Sequence, residues 1–377
     1  MTTARSFIYL ALGIATCLAL SSFVAAKSRV EKQLEQINLP PGFSIEIFAE
    51  VPGARSMALD KSSNTVYVGT RGSDVYAVSY ENQEGKSDKV VKIMSGLIVA
   101  NGVAVHRDYL YVAEQNRIAR YPLPGRNPSA DWEQNREIIF SDLPDKSYHG
   151  WRYIGFGPDN KLYVTVGVAC NICELQGIEG TIIRMDPDGS NSEIFANGIR
   201  NSVGLNFHPK TGVLYFTDNN TDMMGDDIPP GEFNAAPTAG LNFGFPYYAG
   251  GSVRSPGWAY NTPPPNVQFP KVDFQAHVAA LGLAFYTGDM FPEEYRHDAF
   301  VAQHGSWNRS VPIGYRVVRV KFDDNGEVVG DEVFADGWLQ GEKAWGRPVD
   351  VLHMPDGALL VSDDRRGVLY RITYTED

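Results

Sequence analysis

Cysteine is scarce in this sequence, and so are long helical patterns and positive charge. Only 3 of the 377 residues are cysteine, which excludes a fold held together by a framework of disulfides. Lysine and arginine number 33 against 45 aspartates and glutamates, and the net charge of −12 argues against nucleic acid as a partner. This acidic balance does not limit what a single cleft can bind.

The only long apolar run lies near the N-terminus, from Phe7 to Leu20. Arg5 precedes it and the small residues Val24-Ala25-Ala26 follow it, which predicts a signal peptide over residues 1–26 and cleavage before Lys27. Loss of Arg5 takes the net charge from −12 to −13. We therefore expect a periplasmic or secreted protein without stable membrane insertion. An uncleaved membrane anchor is the alternative, although the run is short for a bilayer span.

Two cysteines, Cys170 and Cys173, remain in the expected mature chain with the spacing Cys-Asn-Ile-Cys. No second cysteine pair is present to complete a zinc site, and an exported protein meets an oxidising compartment. We predict a local structural disulfide between them. A redox-active pair is the alternative.

Short runs rich in β-branched and aromatic residues recur along the chain in six similar units. In the third unit, Tyr153–Phe156 precedes a Gly-Pro-Asp-Asn turn and the run Leu162–Val166 follows it. The units recur at or above the period of about 40–50 residues that is typical of propeller blades. The pattern predicts an all-β six-bladed propeller over residues 41–377, preceded by a lead-in segment over 27–40. A tandem of β-sandwiches is the alternative fold.

Two further features of the propeller follow from the pattern. The strand near Ile45 is expected to complete the last blade, because an open ring would leave strand edges unpaired. An acidic stretch rich in proline and glycine follows Asp218 and continues to about Gly251, which predicts a long insertion in blade four.

The residues that precede the six inner strands should meet at one mouth of the central channel, because the inner strand of every blade starts there. Three of them are arginines and none is a carboxylate, so the site is expected to bind an anionic ligand through planar guanidinium groups. The set is Arg55, Asn101, His149, Arg200 with Asn201, His277 and Arg347.

Several motifs resemble those of the soluble sugar dehydrogenases that depend on pyrroloquinoline quinone (PQQ), and especially the sorbosone-dehydrogenase-like group. The resemblance covers roughly residues 40–375. The motifs are His149 ahead of Gly157–Tyr163, then Gly198–Asn201, Asn242–Pro246, His304–Ser310 and Trp345–Pro348.

The resemblance implies an oxidoreductase that oxidises the anomeric or aldehyde carbon of an aldose or a related sugar such as sorbosone. His149 would be the general base, and the hydride would pass to bound PQQ. Arg200, Asn201 and Arg347 match cofactor-binding residues of the family, and Asn101 aligns loosely with a family glutamine. The family's blade-five lysine has no clear counterpart, and Arg309 and Asn308 are the candidates to replace it.

Calcium and an electron acceptor are the other partners that the resemblance implies. Calcium would be held by backbone carbonyls in the blade-four insertion, by order near Gly225 and Asp226, whereas a solvated acidic loop is the alternative there. The external electron acceptor of an exported enzyme would be a small haem protein such as a cytochrome.

Two functions of other classes stay open at this point. A six-bladed lactonase or other metal-dependent hydrolase would hold a divalent metal on the axis through carboxylates, which the inner-strand set lacks. A non-catalytic propeller used as a binding platform would not need His149.

Overall fold

The computed structural model describes residues 29–80, 85–125 and 131–376. These residues form six sheets around one axis, each with four antiparallel strands and one with an added fifth strand, so the prediction of an all-β six-bladed propeller is confirmed. The predicted signal peptide, with Cys17, lies outside the described residues. No helix in the described ranges is both long and apolar enough to cross a membrane.

The chain enters the propeller through one short helix and one strand, α1 (Arg29–Leu34) and β1 (Phe43–Glu50). The first three blades follow in order. Blade one has β2 (Ala54–Asp60), β3 (Thr65–Thr70), β4 (Val75–Ser79) and β5 (Lys89–Met94). Blade two has β6 (Gly102–His106), β7 (Tyr109–Ala113), β8 (Ile118–Pro122) and β9 (Glu137–Phe140). Blade three has β10 (Ile154–Phe156), β11 (Leu162–Val166), β12 (Thr181–Met185) and β13 (Glu193–Asn197).

Among the last three blades, extra strands interrupt blade four and an extra hairpin precedes blade six, whereas blade five is regular. Blade four has β14 (Leu205–Phe207), β15 (Leu214–Asp218), β16 (Gly231–Ala236) and, after β17 (Leu241–Asn242), β18 (Tyr248–Gly250) and β19 (Val253–Arg254), its outer strand β20 (Val272–Phe274). Blade five has β21 (Ala280–Phe285), β22 (Ala299–Gln303), β23 (Arg316–Phe322) and β24 (Val328–Ala335). After the hairpin β25 (Leu339–Gln340) and β26 (Lys343–Ala344), blade six has β27 (Pro348–His353), β28 (Leu359–Asp363) and β29 (Val368–Tyr374). Two short 3₁₀ helices cover Glu133–Asn135 and Glu293–Tyr295.

The N-terminal strand closes the ring, as predicted. β1 pairs antiparallel with β29, with Ile45 opposite Ile372, so blade six is built from both ends of the chain. Apolar residues of the lead-in, including Leu34, pack on the core between blades five and six. The closed ring leaves no inner strand without neighbours on both sides.

The second strands of the blades are buried along almost their whole length because each blade lies between two others. β3, for example, has no exposed residue, and its Tyr67 packs in one cluster with Val112 of β7 and with Trp132. This explains why these strands have apolar runs instead of a strict polar–apolar alternation. Such burial provides a rigid base for the loops at the channel mouth.

The inner strands β2, β6, β10, β14, β21 and β27 surround the axis, where an apolar cluster and a buried carboxyl group fill the channel. Val203, Leu281 and Val349 pack together beside Trp151. Asp350 accepts hydrogen bonds from the backbone N–H of Met57 at 2.8 Å and from the hydroxyl of Tyr153 at 3.1 Å. Burial raises the pKa of Asp350 to about 7.

The insertion in blade four is confirmed, but its extent is not as the sequence indicated. β16 lies inside the stretch that the sequence assigned to the insertion, because Gly231–Ala236 pairs along its length with β15. The inserted segments are therefore 219–230 and 237–271. Within the second one, β17 adds a parallel strand to β13 of blade three.

Candidate active site

A cavity of about 370 Å³ opens at the end of the channel where the inner strands begin. Residues from five of the six predicted positions line it, so the expectation that they converge is confirmed for those blades. They are Arg55, His149, Arg200 with Asn201, His277 and Arg347. Asn101, at the position in blade two, does not line the cavity.

His149 is held in one tautomer by the segment that follows β11. Its Nδ1 lies 2.8 Å from the carbonyl oxygen of Val168, which can only accept, so Nδ1 carries the proton and Nε2 of the neutral ring does not. Burial and the nearby charge of Arg200 lower the pKa of His149 to about 3. The ring is therefore neutral at physiological pH, with Nε2 able to take a proton.

Arg200 is clamped by backbone and side-chain acceptors. Its guanidinium donates to the carbonyl oxygen and to Oδ1 of Asn171, at 3.0 and 2.8 Å, and to the carbonyl oxygen of Asn219 at 2.9 Å. Oδ2 of Asp222 lies 2.9 Å from Nη2. The sequence did not indicate this counter-charge, which makes Arg200 part of a neutral pair in the cavity wall.

The backbone at Arg200 and Asn201 is fixed by the buried Asp218. Its two carboxylate oxygens accept the N–H groups of these residues at 2.8 and 2.6 Å. Asn201 Oδ1 is buried and has no hydrogen-bond partner among the described residues. A cavity-lining amide without a protein partner is available to a ligand.

Arg55 and Arg347 lie on the wall formed by blades one and six. Arg55 donates through Nη1 to Asp364 at 2.8 Å, and its Nε donates to Asn101 Oδ1 at 2.5 Å. The interpretation of Asn101 as a residue lining the site is therefore wrong. Asn101 is buried between Arg55 and the carbonyl oxygen of Arg152, and it orients the arginine.

Arg347 keeps most of its donors free. Its Nε and Nη2 donate to the carbonyl oxygens of His304 and Gly305, both at 3.2 Å, and no other bond to this guanidinium is found among the described residues. Three of its five N–H groups are thus left for a ligand. Arg71, which also lines the cavity, has a side chain that is 55% exposed and lies 3.6 Å from Asp364.

A second imidazole, that of His304, lines the same wall. Its Nε2 lies 2.9 Å from Asp364 Oδ1. Burial lowers the pKa of His304 to about 4, although Asp364 opposes this. Burial would raise the pKa of Asp364, but the hydrogen bond from His304 and the charges of Arg55 and Arg347 hold it well below its usual range. At neutral pH we assign an ionised Asp364 that accepts Nε2–H from a neutral His304.

Several residues that sequence reasoning missed share one position, directly after the second strand of a blade. The ones that line the cavity are Arg71 after β3, Asn219 after β15 and His304 after β22. Asp364 has the same position after β28 and bonds to Arg55 and His304 of the wall. The second strand runs antiparallel to the first, so it ends at the mouth where the first begins. The signal was therefore present in the same repeats.

Two predicted sites are not formed as expected. Arg309 does not line the cavity, because its guanidinium is bonded to the carbonyl oxygens of Asp226 and Val311. Gly225 and Asp226 do not line it either, and their carbonyls accept hydrogen bonds from His277 Nε2 and Arg309. The structure thus gives no support to these two carbonyls as calcium ligands.

The other residues of this region complete the mouth. The first inserted segment reaches the cavity through Asn219, Asn220, Asp222, Pro229 and Pro230. Asn308, the other candidate for the family's lysine, lines the cavity with Nδ2 3.3 Å from Asp222 Oδ1. Trp151 and the exposed Trp307 also line it, and Tyr148 stacks at a tilt on His149.

The predicted disulfide between Cys170 and Cys173 is present. It closes a small ring in the loop after β11, beside the cavity. The redox-active alternative is not tested by its presence.

Comparison with known proteins places these features in a family context. A family profile described as glucose/sorbosone dehydrogenase matches residues 111–371. A protein of Borreliella burgdorferi, described as uncharacterized, is 32% identical over 375 residues and covers 96% of each chain. An aldose sugar dehydrogenase of Escherichia coli is 25% identical over 244 residues, which are 59% of this chain and 57% of that protein.

Solved structures with the same fold include three that are informative. The calcium structure of a Trichoderma reesei enzyme of carbohydrate-active family AA12 has a TM-score of 0.78 at 18% identity, covering 90% of this chain and 97% of that one. The holo PQQ domain of a Coprinopsis cinerea pyranose dehydrogenase has a TM-score of 0.74 at 19% identity, covering 89% and 97%. The PQQ-bound aldose sugar dehydrogenase of Streptomyces coelicolor has a TM-score of 0.63 at 18% identity, covering 90% and 100%. At these identities the structures establish the shared fold.

Proposed function

This chain belongs to the glucose/sorbosone dehydrogenase family, and we propose that it is a quinoprotein that oxidises an aldose or a related sugar by hydride transfer to PQQ in the axial cavity. One observation carries the proposal. His149, with an unprotonated Nε2, lines the same cavity as Arg55, Arg71, Arg200 and Arg347.

The cavity residues fit a planar polyanion. The wall of blades one and six has three arginines, Arg55, Arg71 and Arg347, against the single carboxylate of Asp364. The free N–H groups of Arg347 suit carboxylates, which a guanidinium binds through two parallel hydrogen bonds. On the opposite wall, the unpartnered Oδ1 of Asn201 would accept a hydrogen bond from a donor group of the ligand.

The two walls of the cavity would bind different parts of the cofactor. Arg347 and Arg71 would hold carboxylates of the cofactor, while Arg200, already neutralised by Asp222, would fix its other end beside His149. When bound, PQQ supplies a two-electron acceptor for a hydride. The donors on both walls would orient it and exclude water from the face next to His149.

His149 would take the proton that the sugar hydroxyl loses as its carbon gives up a hydride. Val168 fixes the ring so that the accepting nitrogen is Nε2. The lowered pKa keeps this nitrogen unprotonated before the reaction. An anion bound nearby would offset the charge of Arg200 and raise the pKa, which would strengthen the base when the site is loaded.

The carbonyls of Gly225 and Asp226, which were predicted to bind calcium, do not fit that role because they accept hydrogen bonds from His277 and Arg309. Within the described ranges, no group of three or more His, Cys, Asp or Glu side chains is arranged to hold a metal ion. No step is therefore assigned to calcium. The same finding leaves the metal-dependent lactonase without support from side chains at the axis.

The surroundings of the cavity bear on substrate and compartment. The exposed ring of Trp307 at the mouth offers an apolar face to a sugar ring entering from solvent. We also propose export to the periplasm or the medium, which the Cys170–Cys173 disulfide supports, and an external acceptor such as a cytochrome.

The test is a titration of the purified apo-protein with PQQ, with and without calcium, followed by the absorbance of the quinone. A panel of aldoses is then added with a dye as electron acceptor. Stoichiometric binding and reduction of the bound quinone by an aldose would support the proposal. No binding at micromolar PQQ, with or without calcium, would refute it. Ligand binding that is equal in wild type and His149→Ala, with no turnover of any aldose by either, would instead favour a binding platform.

A further inference from the structure

The segment from Val168 to Cys173 contacts both candidate reactive groups of the cavity. The carbonyl oxygen of Val168 accepts Nδ1–H of His149, and the N–H of Val168 donates to the carbonyl oxygen of Arg200 at 3.0 Å. Three residues later, Asn171 accepts two hydrogen bonds from the Arg200 guanidinium. One short stretch thus sets the orientation of both His149 and Arg200.

Asn171 also joins Arg200 to its counter-charge. Its Oδ1 accepts the N–H of Asp222 at 2.9 Å, and its Nδ2 donates to the carbonyl oxygen of Asp222 at 3.1 Å. The same Oδ1 accepts from Arg200 Nη2, so a single side chain bonds to both members of the ion pair. Asn171 itself does not line the cavity.

The covalent ring gives this loop a constraint that its hydrogen bonds do not. Asn171 and Ile172 are the two residues between Cys170 and Cys173, so the ring closed by the disulfide contains Asn171. We call the hydrogen bonds of Asn171 to Arg200 and Asp222 the clamp. The segment has no regular secondary structure, and both cysteines are partly exposed. A closed ring restricts the backbone of such a loop, so less conformational entropy is lost when Asn171 binds its partners.

We propose that Asn171 is a positioning residue for Arg200 and Asp222, and that the Cys170–Cys173 disulfide keeps it in place. The part of this inference that concerns ligand affinity rests on the proposed function. The part that concerns the clamp does not.

The clamp is tested first on the apo-protein by hydrogen–deuterium exchange. A dithiol supplies two electrons and two protons, the S–S bond breaks, two S–H bonds form, and the dithiol becomes a cyclic disulfide. After reduction, the amides of Arg200, Asn201 and Asp222 should exchange at least about tenfold faster, while those of the outer strands do not change. Equal rates in the oxidised and reduced proteins would overturn the inference.

Variants distinguish the effect of the disulfide from that of the Asn171 side chain. The amides of Cys170→Ser/Cys173→Ser should exchange as fast as those of the reduced protein, and their rates should not change with the dithiol. Asn171→Ala should show the same faster exchange even when oxidised. Asn325→Ala, which changes an exposed turn of blade five, is the matched control and should match wild type.

Ligand binding is the second readout. The affinity for PQQ should fall at least about tenfold in Asn171→Ala, because Arg200 loses its charge-assisted hydrogen bond to Asn171 Oδ1. A similar fall is expected in the reduced protein, because the disulfide no longer restrains the loop that carries both acceptors of Asn171. Unchanged affinity in both, with wild type binding PQQ, would overturn the inference and leave the proposed function intact. Absence of PQQ binding by wild type would refute the proposed function, and the exchange rates would then decide the clamp alone.

Discussion

His304 Nε2 lies 2.9 Å from Oδ1 of Asp364, and the other carboxylate oxygen of Asp364 accepts from Arg55 at 2.8 Å. The Asp364 side chain is 1% exposed and that of Arg55 is 4% exposed. Because removal of one partner leaves a buried charge without compensation, Asp364→Asn should lower the free energy of unfolding by about 3–5 kcal/mol at pH 7. Thermal or urea unfolding measures the difference.

The pH dependence of this effect follows from the direction of the pKa shift. The folded-state pKa of Asp364 is depressed, so its stabilisation is present above the ordinary carboxyl pKa of about 4 and is lost as the pH falls below it. The gap between wild type and variant should therefore shrink in acid. Asp324→Asn, which removes an exposed carboxylate, is the control and should not change the melting temperature. Equal stability of Asp364→Asn and wild type at pH 7 would contradict the prediction.

His149→Ala should remove the proton acceptor and leave the arginines in place. We expect turnover of the PQQ-loaded protein to fall by about 10²–10⁴-fold, the usual contribution of a general base, with PQQ affinity little changed. Steady-state kinetics and a binding titration measure the two effects. His297→Ala, at a turn outside the cavity, is the control. Retention of more than half of the wild-type turnover would rule out His149 as the base.

Arg347→Ala should weaken the binding of an anionic ligand. The loss of charge-assisted hydrogen bonds, each worth about 1.5–3 kcal/mol, predicts at least a tenfold higher Kd for PQQ. The matched control is Arg184→Ala in the outer half of blade three, where the arginine pairs with Glu193 on the surface. An equal Kd for both variants would show that Arg347 does not face the ligand.

The raised pKa of Glu232 predicts that the protein loses stability at alkaline pH. Burial, and then the charge of Asp218, raise the pKa of Glu232 to about 8, so the folded protein binds a proton that the unfolded chain, with a pKa near 4, releases. Stability is thus full at low pH and is lost as the pH rises through 8, by up to about 1.4 kcal/mol per pH unit.

Glu232→Gln isolates this titration. The side-chain amide of Asn234 donates to Glu232 and has an unpartnered Oδ1, so it can turn over to accept from the new glutamine. The melting temperature of the wild type should fall between pH 7.5 and 8.5, where histidines of ordinary or lowered pKa are almost fully deprotonated in both states, and that of the variant should fall less. Parallel curves would assign the alkaline loss to another group.

The repeats in the sequence were sufficient to predict the blades, the closure of the ring and most cavity positions, because strand periodicity and turn residues are local signals. They were not sufficient to show which way a side chain points. Asn101 occupies the position equivalent to His149 but turns towards Arg55 beneath the cavity surface. Arg309 lies within the motif His304–Ser310 that resembles the family's, yet its bond to the carbonyl oxygen of Asp226 holds it away from the cavity.

The carboxylates that pair with the cavity arginines could not be predicted from the sequence either. Asp222 is 22 residues from Arg200, and Asp364 is 309 residues from Arg55, so neither pair could be recognised from spacing along the chain. Since both carboxylates come from positions after second strands, only the assembled ring brings them to the inner-strand arginines. The excess positive charge in the cavity is therefore smaller than the count of arginines indicates.

The pairing of β1 with β29 sets an order in which the cavity can be completed. A ribosome makes β1 first and β29 last, and Arg347 and Asp364 belong to the blade that these two strands share. The partially synthesised chain can form the middle blades but lacks the blade-six part of the cavity wall, which includes Arg347. A ligand that contacts Arg347 can therefore bind only after the whole chain is made and β1 has paired with β29.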